Sequence, residues 1–185
     1  MIDLEAPAAP ARLGEPARDR GSGRVFTGEW DGQPVLVRRL PGSTDLAVRA
    51  RVDRLATRLV GLEGPGLVRV LAFASGWASL DLIQESPEVI GSLATVSQRR
   101  SLRPGEVVGV GLRLAVALEQ LHEQDLTHGR LHAGDVLVGD DGDVLLTGYG
   151  VAGVIGSAGS SADDVRDLAG LLLLLCPADA GSDRL

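Results

Sequence analysis

Three histidines, one cysteine and several close-set carboxylates are the groups in this sequence with chemistry to offer. His128 and His132 stand four apart, a spacing that on a helix presents two imidazoles to one zinc ion. The intervening Gly129 and the loop-like surroundings argue instead for a packed, hydrogen-bonded His128, with His122 and His132 at the surface. Asp140, Asp141 and Asp143 suggest a calcium loop, but the glutamate that closes such a loop is missing, and a hairpin turn accounts for them better. Cys176 is the sole cysteine, which excludes an internal disulfide and any cysteine-built zinc site. All 18 basic residues are Arg, and the chain holds neither Lys nor Asn. Phosphate binding by a P-loop lysine, Schiff-base chemistry and a lysine general base are thereby excluded. Ser157, Ser160 and Ser161 read as loop filler, with phosphorylation as the alternative.

The chain around these groups has 185 residues, 44% hydrophobic and 23% charged, the balance of a globular protein with a real core. Aromatics are only 3%, so that core must rest on Leu, Val and Ala. A net charge of −7 argues against a nucleic-acid partner, which selects a basic face. The stretch from Met1 to Pro16 has no apolar run of the kind a signal peptide needs. The longest apolar run, Leu168 to Pro177, is too short to span a bilayer. A reducing cytoplasm is the expected compartment. The Arg, Ala, Gly and Asp bias suggests a GC-rich genome of the actinobacterial kind.

Residues 1–17 read as a flexible Ala/Pro-rich lead. Strands are expected over Arg24–Trp30 and Pro34–Leu40, with Asp31-Gly32 as their hairpin turn. Asp45–Val60 has a helical pattern, with Leu46, Arg49, Asp53, Thr57 and Val60 at helical steps, an N-cap around Ser43-Thr44-Asp45 and a stop at Gly61. Further strands fall at Leu67–Ala74 and Ala78–Gln84, so the first 85 residues read as a small antiparallel sheet carrying one helix. The remainder is mainly helical. A short helix is expected over Gly91–Arg99. The strongest one runs over Pro104–Gln124, with Val107, Val110, Leu114, Leu118 and Leu121 on one face. Two short strands, Asp135–Val138 and Val144–Thr147, flank the Asp-rich turn. Gly153–Ser161 reads as a loop, and Ala162–Cys176 as a helix apolar on nearly all sides and hence buried.

The stretch from Leu118 to Leu137, with His128-Gly-Arg-Leu-His-Ala-Gly-Asp at its centre, resembles the long helix and catalytic loop of the protein-kinase superfamily. Leu145-Leu-Thr-Gly-Tyr-Gly150 resembles the surroundings of the kinase D-F-G triplet, and Asp164-Val-Arg-Asp-Leu the start of the helix after the activation segment. Gly23-Arg-Val25 and Val35-Leu-Val-Arg38 resemble the glycine-rich loop and the lysine strand. The separation 148 − 130 = 18 between the two degenerate motifs matches the usual kinase spacing. The resemblance spans residues 18–176 and implies an α+β, two-lobed kinase-like fold. Its β-rich lobe with one helix would cover 18–85, and a reduced helical lobe 86–185. The loop is also similar to the H-G-D-L-H-x-G-N motif of small-molecule phosphotransferases.

The resemblance also implies what the chain has lost. Arg38 stands where a lysine holds the α- and β-phosphates, and its planar head is not a neutral exchange. Leu36 stands where a small alanine roofs the adenine. Arg130 replaces the aspartate that receives the substrate proton, and a guanidinium that never deprotonates cannot do so. Gly148 replaces the magnesium-binding aspartate, and Asp135 the loop asparagine. Gly23 is the one glycine of its loop at the family position, Arg18 and Arg20 taking the other two. The framework positions are kept. His128 and Tyr149 match residues that stack in the column tying the lobes, and Asp164 matches the buried aspartate that holds the catalytic-loop backbone. Val25 and Leu137 match the apolar ceiling and floor of the nucleotide site.

Such a chain is identified as a degenerate bacterial Ser/Thr pseudokinase, a regulatory scaffold in signalling with no cofactor and no phosphotransfer. Bacterial relatives of this kind dock partners such as phosphopeptide-reading domains. The alternatives are a nucleotide sensor using Arg38 and Asp135, or a remnant small-molecule phosphotransferase. Only 16 positions separate Gly148 from Asp164, too few for an ordinary activation segment, and nine residues follow Cys176. The later helices of the large lobe are therefore expected to be missing. A protein partner or a second copy is expected to cover the exposed apolar surface of the second lobe.

Overall fold

Alternation of apolar and polar residues builds the first sheet. In the computed structural model, which describes residues 11–16, 24–75, 78–154, 156 and 159–176, β2 (Arg24–Trp30) and β3 (Gln33–Pro41) form an antiparallel hairpin. Its two turn residues, Asp31 and Gly32, both have positive φ, 50° and 73°, the backbone twist that an Asp-Gly turn accepts most readily. The sheet continues through β5 (Ser79–Glu85) to β4 (Val70–Ser75). Val35 and Val37 bury one face together with Ala11, Ala72, Ala74 and Ile83, while Leu36, Arg38 and Leu40 alternate to the other.

The lead expected to be flexible holds a strand. β1 (Arg12–Pro16) pairs antiparallel with β2 and completes the order β1-β2-β3-β5-β4. Only Leu13 of its five residues is even partly buried, and its pairing is irregular between Leu13 and Pro16, so it carries no alternating signal. Helix α1 (Leu46–Leu59) is capped by Asp45, whose carboxylate accepts the Ala47 N–H at 2.8 Å. It buries Val52 and Leu59, so the expected stripe through Leu46 and Val60 is turned to solvent.

The second set of elements begins with β6 (Gly91–Ser92), where the sequence suggested helix, followed by α2 (Leu93–Arg99) capped by Ser92. Helix α3 (Pro104–Glu123) buries Val107, Val110, Leu114, Leu118 and Leu121, the expected face. A short 3₁₀ turn, Ala133–Asp135, leads into β7 (Val136–Val138), which pairs with both β6 and β8 (Val144–Leu146). The Asp-rich link between β7 and β8 is a turn, closed by the Gly139 N–H on the Asp143 carbonyl at 2.8 Å. Part of the expected 153–161 loop is instead the end of a one-turn helix, α4 (Val151–Val154).

Helix α5 (Ser161–Leu175) departs most from expectation. Only Asp164 and Leu171 are buried, while Leu173 and Leu174 are 75% and 86% exposed. The all-round apolar helix is thus a half-covered one. The fold is mixed α+β, with a five-stranded antiparallel sheet and five α-helices among the described residues. The chain divides into two compact units, 1–62 with 68–87, and 63–67 with 88–185. The 63–67 segment joins the second unit through a parallel bridge from Leu67 to Leu146 and the Leu146 N–H on the Gly66 carbonyl at 2.7 Å. Among the described residues, no helix is long and apolar enough to cross a membrane.

Candidate functional site

The candidate site of the second unit grows from the first turn of α5. Ser160 and Asp163 form a capping box, in which the Ser160 oxygen accepts the Asp163 N–H at 3.2 Å and the Asp163 carboxylate accepts the Ser160 N–H at 2.9 Å and its hydroxyl at 2.7 Å. Ser160 is therefore a cap, while Ser157 lies outside the described residues. These Ser160 bonds, with help from Arg166, hold the Asp163 carboxyl down at about 2, below its ordinary 3.8.

The fixed turn carries Asp164 to complete burial. One of its oxygens accepts the His128 N–H at 2.9 Å and stands 2.8 Å from Nε2 of His122, and the other accepts the Gly129 N–H at 2.7 Å. One turn along α5, Asp167 accepts the Leu131 N–H at 3.1 Å. Two carboxylates three residues apart on one helix thus hold three backbone donors of a single loop. A carboxylate survives full burial when it is satisfied in this way. Gly129 takes φ of +81°, and a Cβ there would stand 2.6 Å from that of Ala152, so the loop conformation requires glycine.

The loop is tied to the neighbouring strands as well. Buried His128 places Nε2 3.1 Å from the Thr147 carbonyl, and the Thr147 N–H is donated to the Asp135 carbonyl at 2.8 Å. Tyr149 and the Asp135 side chain are fully buried, and Leu137 is buried on β7. The structure brings His128, Asp135, Thr147 and Asp164 into one connected network. Arg130 and His132 lie exposed beside it, and Gly148 follows Thr147 directly. His122, expected at the surface, is half-buried against Asp164.

In the first unit, Arg38 is buried on β3 between Val25 of β2 and Leu82 of β5. Leu36 is half-buried between Thr27 and Gln84 in the same register. Gly23, Arg18 and Arg20 lie outside the described residues. The neighbour of Arg38 carries an interaction that the sequence did not disclose. Arg39 grips Asp81 of β5 through Nε at 2.7 Å and Nη2 at 2.6 Å, a bidentate cross-strand pair that raises the arginine's pKa still further. Strand register alone reveals that pair, whereas the three-residue spacing of Asp164 and Asp167 was already readable as one helical face.

A proton-accepting role at position 130 is closed to a guanidinium, and a magnesium-ligating role at 148 is closed to glycine. Among the described residues, no three His, Cys, Asp or Glu side chains converge as a metal site requires. What the arrangement does is hold a loop in one shape. No family model matches the chain, and no curated protein is found to be similar to it.

Proposed function

We propose that this protein is a kinase-like pseudokinase, a two-lobed relative of the protein kinases that binds a protein partner in signalling and transfers no phosphate. The observation that carries the reading is the hold of Asp164 on the His128 and Gly129 N–H groups. These are the positions where the kinase resemblance expects a buried aspartate to fix the catalytic loop. Support comes from the contrast on that same loop. The supporting groups are buried and hydrogen-bonded, while the positions that would perform transfer hold Arg130 and Gly148. A loop kept rigid without a proton acceptor serves as a shape to be recognised. The cytoplasm is the compartment this reading assigns.

Two measurements test it. Thermal unfolding with ATP and magnesium should leave the melting temperature unchanged, since only a ligand that binds the native state raises it. A shift that saturates with ATP would replace the scaffold reading with that of a nucleotide sensor. Incubation with labelled ATP and generic protein substrates should give no transfer beyond that of Arg130→Ala, and turnover above that control would overturn the proposal.

A further inference from the structure

The outer face of α1 carries an inference that does not depend on the kinase-like reading. The helix buries Val52 and Leu59 and leaves Arg51, Arg54 and Arg58 exposed. Steps of three and four residues put those three arginines in one row, about 10 Å long. Asp53, the one carboxylate of α1, stands at no three- or four-residue step from any of them, so no ion pair along the helix offsets the row. Among the described residues, the guanidiniums of Arg51 and Arg54 meet no hydrogen-bonding or charged partner. Other arginines of the chain are paired, Arg39 with Asp81, Arg100 with Glu106 and Arg113 with Asp143. Like charges at helical steps weaken a helix, and Arg54 has one on each side, Arg51 and Arg58. Such a row costs the free protein stability and is relieved by an anionic neighbour.

The surroundings of the row select among anionic partners. Ala47 and Ala50 are exposed beside it, small enough for another polypeptide to lie close against the helix while its carboxylates reach the guanidiniums. The spacing of the row also repeats that of Glu side chains at three- and four-residue steps on a second helix. A nucleic acid needs a longer basic track and gains from aromatic stacking, whereas α1 contains no aromatic residue and the chain carries a net charge of −7. An anionic membrane surface needs apolar residues that insert beside the basic ones, and of its Leu and Val residues α1 exposes only Leu46.

We infer that the row of Arg51, Arg54 and Arg58 is a docking surface for an acidic polypeptide segment, a partner's helix that carries carboxylates at the same steps. The probe is a synthetic helical peptide with Glu at successive three- and four-residue steps, titrated into the full chain and followed by calorimetry. It should bind with an affinity that falls as salt rises, and its Gln counterpart should not bind. Arg54→Glu should weaken the Glu peptide about 10-fold or more. The same substitution turns two like-charge contacts into attractive ones and should raise the melting temperature of the free chain by about 1–2 °C. A structural arginine would not combine that gain in the fold with a loss of binding. Arg24→Glu, an equal change of charge at an exposed position of β2, should leave binding within about 2-fold. Failure of the Glu peptide to bind, an equal loss with Arg24→Glu, or a fall in melting temperature with Arg54→Glu would each overturn the inference. Tighter binding of an oligothymidylate or of phosphatidylserine vesicles than of the peptide would overturn it as well.

Discussion

Asp164 and Leu173 lie on opposite faces of the same helix, and each occupies the environment that ordinary partition gives the other. The carboxylate is fully buried and the leucine is 75% exposed. The carboxylate is stable there because two backbone donors and His122 meet it inside the unit. The leucine is left largely to solvent. An inverted residue that is satisfied internally shapes its own unit, and one that is left unsatisfied adds apolar surface to it. On this comparison α5 has a structural side and an exposed side.

The largest expected effect is on the structural side. Asp164→Ala leaves the His128 and Gly129 donors buried without an acceptor and should cost about 3 kcal/mol or more, read from the urea midpoint of the full chain. A loss below about 1 kcal/mol would mean that the loop does not depend on the clamp. Gly129→Ala should follow at about 2 kcal/mol, from the left-handed backbone and the collision with Ala152. Ser160→Ala removes the α5 cap and should cost about 1 kcal/mol by the same measurement.

A smaller effect comes with pH. Asp163 is held at about 2 chiefly by Ser160, and Glu106 at about 2 by Arg100 and the Arg103 N–H at the start of α3. Both are depressed carboxyls, so what they contribute is complete above their ordinary values of 3.8 and 4.5 and declines as the pH falls toward 2. Carboxyl carbon shifts followed by NMR should show both midpoints near 2, and ordinary midpoints would dissolve both caps. On the exposed side, Leu173→Ser should leave the unfolding free energy of the dilute chain within about 0.5 kcal/mol. A larger loss would assign that leucine to the fold and erase the contrast.

Much of this architecture was legible in local signals. The Asp31-Gly32 turn, the buried face of α3 and the Asp-rich turn each depend on residues close in sequence. The failures have a common cause. β1 is an edge strand defined only by its pairing with β2, so its composition concealed it. The buried side of α1 was misjudged because nearly every helical face of that Arg-rich segment offers some apolar residue. Helix α5 reads as core from its leucines, and only packing decides which of them find neighbours. At the candidate site, the residue types at 38, 130, 135 and 148 and the match of Asp164 to a buried aspartate were readable. The roles of His122 and Asp167, and the Arg39–Asp81 pair, required three-dimensional proximity.

The sequence by itself determined which side chains stand at positions 130 and 148. A guanidinium cannot accept a proton and a glycine offers no side-chain ligand to a cation, and those facts hold in any fold. It also determined turns and helix periods, because these arise between residues a few positions apart. Only the tertiary structure decided that Asp164 would meet backbone donors 36 and 35 residues away, and that Leu173 and Leu174 would stay mostly exposed. Burial and long-range hydrogen bonding are properties of which segments come together, and segments distant in the chain leave no mark of that encounter on their own local pattern.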